Sequence, residues 1–263
     1  MDARRAAFAI SSPSIGMPSS SDLTPAPLYL ELEPSADAAA QIDHLFVFRD
    51  TGALSNRDSG RFATDLFTLS VTRCHDGDEG ARVSLAPPRP GFTRRRSSFC
   101  GIVAGLGLSA RPERLPGTEA LAPLTLVLGR VRQGDDGLPS LVAALDDLAR
   151  GLSFAAPPQT FSDRTERRRA RADTGVSRRR LAATRRFRQL LGDLACNTRP
   201  LSNLALDAGY YDQSHMSASC RAFAGKPPGA LRSQAAPRVF GPSLQDARLK
   251  DRLRLVIMDD CKE

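Results

Sequence analysis

Tryptophan does not occur in these 263 residues, and aromatics together make up only 6%. Histidine occurs three times and cysteine five times, at 74, 100, 196, 220 and 261. An odd, scattered set of cysteines without metal-ligand spacing excludes a disulfide framework and leaves reduced thiols. Three histidines build no metal site without cysteine help, and only Cys74 and His75 are neighbours. Neither a metal nor another cofactor is expected. No apolar run approaches the ~20 residues of a membrane span. The opening MDARRAAFAI lacks the sustained apolar stretch of a signal peptide. A soluble, cytoplasmic protein without a membrane partner is expected. The 41% of apolar residues still suffices for packed cores, and the length suits one large domain or two ordinary ones.

What is present is positive charge, unevenly placed. Residues 160–232 hold 15 Lys+Arg against 6 Asp+Glu, a net of +9, whereas the whole chain has +8. A localised basic region is the electrostatic footprint of a polyanion partner. Arginine dominates it, which suits phosphate and guanine recognition.

Residues 1–26 are rich in Ser, Pro and Ala without periodicity and read as a disordered leader. Over 27–135 the pattern is that of short strands. Leu28, Leu30 and Leu32 alternate with polar or amphipathic residues; His44 to Phe48 is a continuous apolar run; Phe67, Leu69 and Val71 alternate, as do Val83 and Leu85. LTLVLGRV, Leu124 to Val131, reads as the last strand. Thr93 to Ser98 reads as a basic loop. The glycines of FCGIVAGLGL, Phe99 to Leu108, lack the strand–turn–helix setting of a phosphate cradle. Within 136–159, Leu141, Leu145, Leu148 and Leu152 recur as on an amphipathic helix, before Pro157-Pro158 mark a boundary.

The segment 160–235 is helical. Arg164, Arg167, Arg168 and Arg171 fall at i, i+3, i+4 and i+7, hence on one face. Ser162 is the expected N-cap of their helix and Gly175-Val176-Ser177 the turn after it. Leu181, Phe187, Leu190, Leu191 and Leu194 form the stripe of a longer helix over Arg178 to Ala195. Leu201, Leu204 and Ala205 then recur at helical spacing; Gly209 supplies a turn and Asp212 an N-cap. Met216, Cys220 and Phe223 are the inward row of the next helix, and Gly225 closes it. Two short helices about a glycine turn outline a helix-turn-helix. In 236–263, Leu244 to Ile257 reads as a terminal helix.

The ordered positions Leu204-Ala205, Ala208-Gly209-Tyr210-Tyr211-Asp212-Gln213-Ser214-His215-Met216, Phe223-x-Gly225-x-x-Pro228 and Arg232 resemble the second helix-turn-helix of AraC/XylS-family transcription regulators. Ser162 to Ser177 resembles the end of the first. The resemblance implies an α+β protein: a β-rich, cupin-like amino-terminal domain that senses a ligand or dimerises, then an all-α DNA-binding domain of two helix-turn-helix modules joined by a linker helix. It implies no enzyme activity. Double-stranded DNA is the partner, with a small-molecule effector, RNA polymerase and a second copy of the chain as further candidates. The residues it points to on DNA are Arg164, Arg167, Arg168 and Arg171 in the first module and Gln213, Ser214, His215 and Arg221 in the second. Gln pairs with adenine and His donates to guanine N7, while Arg221 clamps phosphate and Ala218 offers only a methyl group. The competing reading makes Gln213 and Ser214 part of the helix cap, His215 a surface residue and the arginines a solvated face. Arg178 to Arg180 divide between non-specific attraction and solvent.

The first module departs from the family pattern. Glu166 and Ala170 stand where the family places leucine and phenylalanine, so Glu166 must reach solvent or Arg169. Pro157-Pro158 interrupt the helix expected near Ser153 to Thr160. Two further readings follow: a degenerate binder using the second module alone, and a DNA alkyl-repair fusion with Cys74, beside His75, as acceptor.

Overall fold

The structure, a computed structural model, describes residues 28–38, 40–50, 58–74, 80–96, 99–132, 137–155, 163–234, 249 and 251–258. The expected leader, the Ser162 cap and most of the Pro157-Pro158 break lie outside them.

The alternating runs form an antiparallel sheet. Its strands are β1 (Leu28–Leu32), β2 (Ile42–Asp50), β4 (Phe67–Cys74), β5 (Arg82–Ala86), β7 (Gly101–Leu108) and β8 (Leu253–Met258), in the order β5-β4-β7-β2-β1-β8. A two-stranded sheet pairs β3 (Asp58–Arg61) with β6 (Thr93–Arg96), so the first four residues of the expected basic loop are a strand. Alternation puts Leu30, Leu45, Val47, Leu69, Val71, Ile102 and Leu106 on one buried face. Helices α1 (Thr118–Arg132) and α2 (Leu138–Arg150) cover it.

Two further expectations are corrected. Leu124 to Val131 is part of α1 and not a strand. Leu121, Leu124, Leu128 and Val131 are buried at spacings of three and four, and that stripe on the sheet outweighs the β propensity of Thr125 and Val127. Leu244 to Ile257 does not end as a helix, because Leu253–Met258 pairs antiparallel with β1. Without it β1 would leave an edge of unpaired N–H and C=O groups. Arg252 fixes its start, donating to both oxygens of the buried Asp146 on α2 at 2.7 and 2.9 Å and to the Glu33 carbonyl at 2.8 Å. The helical module is thus inserted between two elements of the amino-terminal unit, α2 and β8.

The glycines of β7 have a steric reason. A Cβ on Gly105 would strike the Phe46 ring, and one on Gly107 the His44 ring. Both rings pack against the bare backbone of the central strand.

The helices of the module are α3 (Asp163–Thr174), α4 (Arg178–Cys196), α5 (Leu201–Asp207), α6 (Gln213–Ala224) and α7 (Pro228–Gln234). Phe187, Leu190 and Leu194 of α4 pack with Leu204, Tyr210, Met216, Cys220, Phe223 and Leu231 in a second core. Ala63, from the segment between β3 and β4, completes it. Among the described residues, no helix is long and apolar enough to cross a membrane.

Candidate nucleic-acid interface

In the second module local chemistry sets every turn. Gly209 takes φ +74°, a left-handed conformation that glycine alone adopts without strain. Tyr210 N–H then donates to the Ala205 carbonyl at 2.8 Å. Asp212, in extended conformation, caps α6: its carboxylate accepts the His215 N–H at 2.7 Å. Gly225, at φ +71°, ends the helix, and its N–H donates to the Arg221 carbonyl at 2.9 Å.

Met216, Cys220 and Phe223 are buried, which turns the opposite face outward. Gln213, Ser214, His215, Ala218 and Arg221 are exposed on it. His215 is held in place. Its ring stands edge-on to Tyr210 with centroids 5.3 Å apart, and its Nδ1 accepts the Tyr211 N–H at 3.4 Å. With Nδ1 used as an acceptor, the neutral ring carries its proton on Nε2, a donor free for a base edge or phosphate. Burial pushes the Cys220 thiol up to about 11, as befits an inert core cysteine. Cys74, the residue considered as an alkyl acceptor, is exposed at the end of β4, while His75 lies outside the described residues.

In the first module Arg164, Arg167, Arg168 and Arg171 are all exposed on α3. The turn after α3 is well made. Gly175 takes φ +71°, the Thr174 hydroxyl accepts the Val176 N–H at 3.1 Å, and Ser177 caps α4 by accepting the Arg180 N–H at 3.3 Å. Yet none of α3's described side chains is buried, and Val176 is the nearest that is. Ala170 is too small to fill the place of a large apolar residue. Ser153 to Ala155, at the start of the expected supporting helix, are not helical, and the side chain of Glu166 lies outside the described residues.

Two features went unread in the sequence. Tyr211, treated only as part of a motif, is 86% exposed at the head of α6. Arg180 is not a free cation: its Nε donates to the Pro90 carbonyl at 2.6 Å and its guanidinium lies 4.3 Å from the Phe223 ring centre. Arg185 and Arg188 likewise turn to Asp65 of the amino-terminal unit. Nothing local in the sequence signals these long-range pairs.

A family model described as a helix-turn-helix domain matches residues 160–234. No curated protein matches the sequence. Among solved structures, an apo variant of ToxT from Vibrio cholerae is similar at a TM-score of 0.35 and 10% identity, covering 78% of this chain and 96% of that one. A second structure of ToxT from Vibrio cholerae gives 0.33 and 9%, covering 79% and 98%.

Proposed function

We propose that the chain is a DNA-binding transcription regulator that reads two adjacent major grooves under the control of its amino-terminal unit, a reading supported by the helix-turn-helix domain over residues 160–234. The observation that carries this is the outer face of α6. A capped first turn presents Gln213, Ser214 and His215 to solvent while the inner row anchors the helix in the core.

In this reading α6 enters one groove with Gln213 pairing adenine and His215 donating to guanine, and Arg221 fixes register on phosphate. Helix α3 enters the next groove, its four exposed arginines meeting phosphates before bases. The linker α4 has 19 residues, about 28 Å at ~1.5 Å each. That approaches the ~34 Å between successive groove faces on one side of a duplex. The amino-terminal unit, joined to the module through both α2 and β8, is the site of control by a small-molecule effector or a second subunit.

Footprinting on a selected duplex tests the two-groove reading, which expects two protected patches per subunit about one helical turn apart. A single patch supports the alternative in which the second module binds alone. The absence of a buried side chain among the described ones of α3 favours that alternative.

A further inference from the structure

The amino-terminal unit grips the module through residues other than the eight candidate DNA contacts. The segment after β3 is braced by its own pairing: Thr64 and Arg89 exchange backbone hydrogen bonds at 2.9 and 2.8 Å, and Arg89 Nη1 donates to the Phe62 carbonyl at 3.0 Å. From this segment Asp65 projects with a side chain that is 0% exposed. Its Oδ2 accepts from Arg185 Nε and its Oδ1 from Arg188 Nε, both at 3.0 Å. The two arginines lie three positions apart, hence on one side of α4. The far end of Arg188 is also taken. Its two terminal nitrogens donate to the two oxygens of Asp43 on β2, at 2.6 and 3.0 Å, a bidentate fork. A buried carboxylate stripped of its cations is costly, so each partner fixes the other's position.

Backbone contacts extend the grip to α6. The last four carbonyls of a helix have no partner within it. Here Ala222 O accepts the Phe92 N–H at 3.2 Å and Phe223 O accepts the Ala63 N–H at 2.8 Å. The far end of the reading helix is therefore capped by the other unit. Meanwhile the eight candidate DNA contacts stay exposed. The docking supports the reading face and does not cover it.

We propose that Asp65 is a positioning residue for DNA reading: with Asp43 it clamps Arg185 and Arg188 of α4, holding the module in the geometry that meets the duplex and withdrawing those two arginines from phosphate. This rests on the groove-reading function proposed above. It assigns a sense to the control: docking favours specific binding, and undocking leaves a looser, more sequence-blind cation.

The test starts with the full chain selecting a preferred duplex from a random pool. If it selects none, the groove-reading function fails and the clamp with it. If it selects one, Asp65→Asn and Arg185→Ala are compared with the parent on the selected and a scrambled duplex across salt. Arg185 is 62% exposed, so its truncation leaves both cores intact and decides the matter should Asp65→Asn not fold. For Asp65→Asn the preference for the selected duplex drops about tenfold, the worth of one well-made base contact. The salt dependence steepens by about 1 to 2 as freed arginines meet phosphates. Arg185→Ala weakens specific binding without changing the salt slope. The proposal is overturned if Asp65→Asn keeps the parent's preference, or binds the selected duplex more tightly, which would make the contact a lock. It is equally overturned if Arg185→Ala lowers the slope by about one, the mark of a lost phosphate contact.

Discussion

At Asp212 a single carboxylate sets the first turn of α6 by accepting the His215 N–H. Asp212→Ala is expected to cost about 1 kcal/mol of stability, read as a lowered denaturant midpoint, because an orphan donor loses its cap. Gln213→Ala acts differently. Its side chain is exposed, so stability stays unchanged, while about 1 to 3 kcal/mol of discrimination at one base position is lost and non-specific binding remains. Equal discrimination by that variant would remove Gln213 from the readers. Gly225→Ala is expected to destabilise by more than the ~1 to 2 kcal/mol of a left-handed backbone. Its Cβ would also meet the Phe92 ring at 2.5 Å, so thermal unfolding should show the larger loss. Tyr211 is a residue that motif reading passed over. The sequence places it beside the cap, but only the fold shows its ring facing solvent.

Among the elements, α4, α5 and α6 were legible because their apolar rows follow helical spacing and Gly209, Asp212 and Gly225 punctuate them. The same periodicity lay in α1, where Leu121, Leu124, Leu128 and Val131 bury one stripe. There Thr125 and Val127 drew the reading towards a strand, and packing on the sheet decided otherwise. β8 was beyond local reading, since its partner β1 lies at the other end of the chain. The glycines of β7 had been set aside as a weak phosphate motif, and their role is to seat the rings of Phe46 and His44. Helix α3 supplies a test of its own. If its exposed arginines meet phosphates as proposed, Arg167→Ala and Arg171→Ala should each lower the salt slope of binding by about 1 and weaken all duplexes alike. Unchanged slopes would take α3 off the DNA and favour the single-module reading.

Across the molecule, the two cores are joined by charge as well as by chain. Burial pushes the Asp43 carboxyl up, but hydrogen bonds from His44 and Arg188 and the charge of Arg188 outweigh it and hold it well below the usual carboxylate range. A group depressed in this way stabilises the folded state above its unfolded value of about 3.9 and loses that contribution as pH falls through the folded one. The share of Asp43 in docking is therefore constant at neutral pH and given up only in acid, and Asp43→Asn should flatten that acid limb in a stability–pH profile. None of this long-range pairing was visible in composition, which shows the basic excess of residues 160–232 but not that Asp65 and Asp43 absorb part of it. The central claim is that exposed side chains on a capped helix read bases. Its most direct measure is the ratio of affinities for a selected and a scrambled duplex at physiological ionic strength. A ratio of about a thousand or more is expected, falling for Gln213→Ala. Equal affinity for both duplexes, or no binding to either, would contradict it.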